Sequence, residues 1–324
     1  MSRSTKSLCL IPVLGLMILL NATNNSQNSI AKPSKESYQF VRSWGGQGSN
    51  DGQFLLPHSL AIDTFGNIYV TDTGNNRVEK FSHDGTFISK WGSEGTGDGQ
   101  FVQLHDINVS PDGKFVYTVE LSNHRVQKFT SNGIFVTKWG YENTGGEGAT
   151  RRPHQLAVDS IGNVYLTDRA NSEILVFDGN GKFLTRWGSK GTEVGEFIKP
   201  HGIVFNSKDQ MYITDMGNSR VQEFYKNGTF IRTWGSLGKE QGKFSDSIPG
   251  IAIDKLDNIY VIDRLYSVVQ KFGANGTFMK MWGSKGSTNG EMQKPEDLAI
   301  NLMTGDVYIT DTKNSRIQEF SEFQ

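Results

Sequence analysis

DTGNNRVEKF, residues 72–81, runs from the end of one strand-like pattern through a polar turn into the start of another. A near-copy, DTKNSRIQEF, occupies residues 311–320. Between them stand ELSNHRVQKF (120–129), DRANSEILVF (168–177), DMGNSRVQEF (215–224) and DRLYSVVQKF (263–272), so the device occurs six times. The six tryptophans, Trp44, Trp91, Trp139, Trp187, Trp234 and Trp282, are each followed by glycine and are spaced by 47, 48, 48, 47 and 48 residues. A repeat of this length signals a solenoid, an array or a propeller.

Each unit reads as four short strands. In the first, SLAID, NIYVTDT, RVEKF and TFISKWG follow one another over residues 59–92. The turns DTFGN and SHDG, with TSNG, KNG and ANG in other units, carry the glycine that a tight turn needs at positive φ. Four strands joined this way form an antiparallel meander, which is one propeller blade. The last unit stops after three strands, and YQFVRSWG at 38–45 is an orphan fourth strand placed before the first unit. The sequence therefore predicts an all-β, six-bladed β-propeller of four-stranded antiparallel blades, closed by the N-terminal strand completing the last blade. Small residues (Ala61, Ala157, Ala252, Ala299) at the middle of the first strand place that strand on the crowded central axis, with Asn108 and Val204 as exceptions. The periodic tryptophans and phenylalanines then fill the gaps between blades.

Composition narrows the function. Thirty-three Lys and Arg against 34 Asp and Glu give a net charge of −1, without the basic field that holds a phosphate backbone, so nucleic acid is not an expected partner. Residues 1–31 read as a signal peptide or an N-terminal membrane anchor: Arg3 and Lys6 precede an apolar run at 8–20, shorter than the roughly 20 residues of a spanning helix. Residues 32–37 read as a flexible spacer and 38–324 as the propeller. The expected location is extracytoplasmic, secreted or anchored to the outer face of a membrane, with any membrane contact through the N-terminal segment if it is not removed. Cys9, the only cysteine, lies in that segment, so the propeller has no disulfide, thiolate ligand or cysteine nucleophile. Asn-X-Ser/Thr signals fall at Asn21, Asn24, Asn108, Asn227 and Asn275, of which Asn227 and Asn275 lie in hairpin turns and Asn108 in an inner strand.

The units resemble NHL repeats, on the strength of P-H-x-L-A-I-D, G-N-I-Y-V-T-D and D-T-G-N-N-R-V-x-K-F as they stand in the first blade. The resemblance covers about residues 38–320 and implies the fold more narrowly than any activity, because one propeller scaffold hosts many functions. Such propellers include protein- and peptide-binding platforms, RNA-binding domains, extracytoplasmic sensors and the peptidyl-hydroxyglycine lyase. Related six-bladed enzymes include gluconolactonase-like hydrolases and streptogramin B lyase.

Three constellations stand out. Asp72/Asn75/Arg77, Glu120/Asn123/Arg125, Asp215/Asn218/Arg220 and Asp311/Asn314/Arg316 read as scaffold, an acid and an amide satisfying turn amides while the arginine bridges the carboxylate. Blades three and five depart from it, with Glu173 and Val268 at the arginine position, Tyr266 in place of the asparagine, and Arg169 and Arg264 directly after the aspartate. Arg169 and Arg264 are either drift that compensates for the lost arginine or, with Tyr266, ligand-binding anchors on one side of the loop-bearing face.

The third constellation is histidine. His58, His105, His154 and His201 stand at the start of the inner strands of four consecutive blades, and Glu296 holds that place in blade six. Blades two, four and six would set His105, His201 and Glu296 about 120° apart, the donor set of a two-histidine, one-carboxylate metal site. In the lyase of the resembling family, zinc is likewise held by axial histidines from alternate blades. Zinc or calcium is the expected cofactor if a metal binds. The preferred reading is a non-catalytic platform presenting its loops to a protein, peptide or cell-envelope glycan. The competing reading is a metal-dependent extracytoplasmic lyase or hydrolase, with no catalytic base or nucleophile assignable from spacing alone.

Overall fold

In the computed structural model, residues 38–140 and 148–322 are described. The segments read as signal peptide or anchor and as spacer, with Asn21 and Asn24, lie outside the described residues. The first blade runs Pro57–Ile62, Ile68–Asp72, Arg77–Phe81 and Phe87–Trp91, from the axis outward. Four further sheets repeat that order, and the sixth is composite. Its three C-terminal strands, Pro295–Ile300, Val307–Asp311 and Arg316–Glu322, are completed by the N-terminal strand Tyr38–Gly45. The pairing is antiparallel, with Tyr38 opposite Glu322 and Gly45 opposite Arg316. Closure by the first strand leaves no blade with three strands.

The 72–81 device is a strand end, a single 3₁₀ turn at Thr73–Asn75, and Asn76 in the left-handed region at φ 51° before Arg77 opens the next strand. Asp72 Oδ1 accepts the Leu55 amide at 2.7 Å, and Oδ2 accepts Asn75 Nδ2 at 2.6 Å and Arg77 Nε at 2.8 Å. The bridge is therefore a single Nε bond in blade one. The rest of the guanidinium turns away to the carbonyls of Ser49, Asn50 and Gln53, pinning the long loop that enters the blade. Arg125, Arg220 and Arg316 hold the equivalent loops of blades two, four and six. The motif is structural, and it gathers the strand-connecting loops on one face of the ring.

Between blades the core is aromatic. Trp44, from the closing strand, sits about 6.0 Å from both Tyr308 of its own sheet and Phe81 of the next. Trp91 and Trp139 repeat the arrangement with Tyr69 and Phe129, and with Tyr117 and Phe177. Full burial of such a side chain contributes roughly 1.5–3 kcal/mol, so the aromatic seams rather than any cross-link hold the ring together. Asn108 is tied into an inner strand, its Nδ2 donating to Leu156 O at 3.1 Å, whereas Asn227 and Asn275 are exposed in their hairpin turns.

Candidate functional site at the mouth of the central channel

The inner strands begin on the loop-bearing face, and their first residues converge on the axis. His105, His154 and His201 come together there: one ring nitrogen from each lies within 4.8 Å of the others, and all three side chains are buried. His105 Nδ1–H donates to the His154 carbonyl at 3.1 Å, and His201 Nδ1–H donates to the Pro249 carbonyl at 3.0 Å. Those bonds fix the tautomer and leave the Nε2 lone pair of each ring available. His154 is 2% exposed, and neither of its ring nitrogens has a hydrogen-bond partner. Buried polar atoms are rarely left so, and each costs about 1–3 kcal/mol when unsatisfied. Burial pushes all three imidazoles, and His58, well below or below their ordinary value, so they stand neutral at pH 7.

A tetrahedral zinc shell with Zn–N of ~2.0–2.1 Å needs nitrogens ~3.4 Å apart, so modest side-chain rotation brings these three to ligating distance. The donors are neutral imidazoles only. They suit zinc and its borderline neighbours and offer calcium none of the oxygens it needs, so of the two metals expected from the sequence only the first fits.

Glu296 does not join the cluster as the 120° argument expects. Both its oxygens are bound by Arg264 Nη1 at 2.8 Å, and His58 Nε2 stands 3.8 Å from Oε2. The reason is local: blade five has Pro249 where blades one to four have histidine, and Arg264 of that blade reaches across to the carboxylate. His154 takes the third position because, in so narrow a mouth, reach matters more than angular spacing. His58 lies at the edge of the cluster, its ring 3.8 Å from that of His105.

Nor does either new arginine compensate for the one its blade lacks. Asp168 is satisfied by the amides of Arg151, Arg152, Ala170 and Asn171, and Asp263 by Ser245 and the Tyr266 amide. Arg264 turns to Glu296 and to Ser247 Oγ. The half-buried Arg169 has no acidic partner in hydrogen-bond or salt-bridge contact among the described residues. Burial, then the charges of Arg152 and Arg264, lower its pKa. Arg169 and Arg152 both act on His154, and Arg169 and Arg264 on His201. Three guanidinium charges thus act on the imidazoles, one of them, Arg264, being paired with the Glu296 carboxylate. Tyr266 is 37% exposed, and among the described residues no hydrogen bond or cation–π contact joins its side chain to either arginine.

Sequence reading missed the layer beneath. Asp106 and Gln155, each after a histidine, and Asp297 after Glu296 line the channel, a cavity of about 230 Å³, with Ser59 buried between the two acids. Ser59 Oγ lies 2.8 Å from Asp106 Oδ1 and 2.6 Å from Asp297 Oδ2. One hydroxyl proton cannot satisfy two ionised carboxylates, so the pair shares an additional proton. In agreement, burial lifts Asp297 to about 7, and burial together with the Asp297 charge lifts Asp106 well above the carboxylate range. Aligning the repeats shows two acids at a position where other blades have serine, glutamine and glycine, which is the signal that would have found them.

A closed ring of four-stranded blades with a polar axial mouth defines a six-bladed β-propeller. Two stretches of the chain, residues 54–81 and 292–320, match the NHL repeat family, and residues 144–235 match a 6-bladed beta-propeller model. NHL repeat-containing protein 3 of Mus musculus is 31% identical over 72 residues, which are 22% of this chain and 20% of that protein, so the match spans a fifth of the relative's length. Among solved structures, a Bacteroides thetaiotaomicron protein of unknown function superposes with a TM-score of 0.67 at 16% identity, over 88% of this chain and 75% of that one. A streptogramin B lyase (TM-score 0.61, 12% identity, 89% and 99% coverage) and a Xanthomonas campestris gluconolactonase (0.61, 12%, 84% and 88%) share the architecture. At these identities the likeness is one of fold.

Proposed function

We propose that this propeller is an extracytoplasmic recognition platform, secreted or membrane-anchored, whose loop-bearing face takes a protein, peptide or glycan ligand at the axial mouth. His105, His154 and His201 hold a divalent metal of the zinc class there, and Arg152, Arg169 and Arg264 favour a ligand carrying an anionic group. The observation that carries the reading is His154, buried beside two oriented imidazoles with both ring nitrogens unpartnered. A bound metal supplies a Lewis-acidic position open to a donor atom of the ligand. The chain's own residues orient the imidazoles, keep them neutral and set the surrounding charge. The NHL repeats support the platform reading, since such propellers commonly mediate protein interactions.

Metal analysis of the purified full chain, with and without added zinc, tests the proposal. One zinc per chain is expected, lost in His154→Ala with circular dichroism and thermal midpoint otherwise close to wild type. Wild-type protein that neither carries zinc nor takes it up in titration would overturn the metal-centred platform.

A second reading, a metal-dependent lyase or hydrolase, is favoured by one observation: three histidines leave the open position usual in catalytic zinc sites. Zinc-dependent turnover of lactone or ester substrates, absent in His154→Ala, would select it over the platform.

A further inference from the structure

The opposite face of the ring carries its own pattern. In five of the six blades an Asp or Asn opens the turn between the first and second strands and accepts the amide of the residue two places on, while Ser110 opens it in blade two. That bond fixes the tip residue with its side chain outward. In four blades the tip is a large apolar residue: Phe65 (75% exposed), Ile161 (74%), Leu256 (72%) and Met303 (59%), with Leu302 (57%) beside the last. Polar tips, Asp112 and Lys208, interrupt the ring in blades two and four. Turns meet their neighbours around the channel, Ser160 bonding Asp209 and Ser207 bonding Asp257. So many large apolar side chains held out of a water-facing surface mark an interaction site.

The chain enters the propeller on this same face. Tyr38 is paired with Glu322 at the end of the closing sheet where these turns lie, and Gln39, Glu322, Leu256 and Leu302 line one cavity of about 590 Å³. Before Tyr38 stand residues 21–37, polar except for Ala22, Ile30, Ala31 and Pro33, and before those the apolar run at 8–20.

We propose that this face rests on a lipid bilayer, the apolar turn tips of blades one, three, five and six entering its interfacial zone. The occupant follows from the tether. Retained as the membrane anchor, the apolar segment joined through residues 21–37 to the face that bears the apolar ring would hold that ring at high local concentration over the bilayer, so weak insertion by single side chains suffices. The ring of four tips sets the propeller axis along the membrane normal, and the mouth with its histidines and arginines faces away from the lipid. This holds whether or not a metal binds there.

The test uses the full chain in a Cys9→Ser background, with a polarity-sensitive fluorophore on Ile161→Cys or, on the loop-bearing face, on Ser122→Cys. Vesicles of phosphatidylcholine and phosphatidylglycerol carry brominated acyl chains. Lipid-dependent blue shift and at least twofold quenching at position 161, with neither at 122, are expected. Phe65→Ser, Leu256→Ser and Met303→Ser together should abolish the quenching while the chain still floats with vesicles. No quenching at 161, or equal quenching at both positions, overturns the proposal. So does a blue shift at 161 that appears without lipid and grows with protein concentration, which would assign the face to a second copy of the chain.

Discussion

At Arg77 one guanidinium donates to Asp72 and to three loop carbonyls, with the side chain 8% exposed and the carboxylate fully buried. The same spacing of acid, amide and arginine in blades one, two, four and six is thus a fastening for the loops, and the identity of its residues was legible as scaffold. Asp297 was not legible, because its partner Asp106 lies most of the chain away and only Ser59 between them shows that a proton is shared. That proton has a measurable consequence. The folded chain keeps it near pH 7, whereas an unfolded aspartate loses it near 3.8, so between those values the native state binds more protons and stability from this site falls as pH rises. The slope approaches about 1.4 kcal/mol per pH unit. The four neutral histidines act in the opposite sense, losing stability as pH falls below 6.5. They are common to wild type and Asp297→Asn, so the difference between the two isolates the acid pair. Urea unfolding from pH 4 to 7 should show the Asp297→Asn variant gaining on wild type as pH rises; a pH-independent difference would exclude the shared proton.

Among the elements, the hairpin joining the third and fourth strands explains why five of the six tryptophans need a glycine in the next blade, Trp282 stacking instead on Tyr38 of the closing strand. A Cβ on Gly133, at φ +82°, would lie 2.6 Å from the Trp91 ring, and Gly85, Gly181, Gly228 and Gly276 meet Trp44, Trp139, Trp187 and Trp234 in the same way. Backbone conformation and close approach coincide at one position, so the hairpin glycine and the tryptophan repeat together. Gly133→Ala should destabilise the protein by at least about 1–2 kcal/mol, since it adds left-handed strain to an aromatic clash. A red-shifted tryptophan emission should accompany the loss in thermal midpoint. An unchanged midpoint would mean that the seam between these blades yields without cost. The strands themselves were readable from alternation and turn residues. The 3₁₀ turn at Thr73–Asn75 was read only as a polar turn, because its left-handed Asn76 needs no glycine.

For the whole molecule, closure joins residues separated by nearly the full propeller. A cross-link between Gln39→Cys and Ser321→Cys, which face each other across the closing pair, would remove the entropy of opening that loop. In a Cys9→Ser background the oxidised form should gain up to about 4–5 kcal/mol, reversed by reductant. Failure of the two thiols to join under oxidation would contradict the register of Tyr38–Gly45 against Arg316–Glu322. The six-fold repeat, the meander, the orphan strand and the histidines at the inner-strand starts were all written in the sequence, because a repeating unit imposes its period on every residue that touches the core. Which of those histidines meet, and that Arg264 withdraws Glu296 from them, was decided only when six blades set side chains of different length around one narrow axis. Contacts of that kind depend on the distance across the ring and leave no period along the chain.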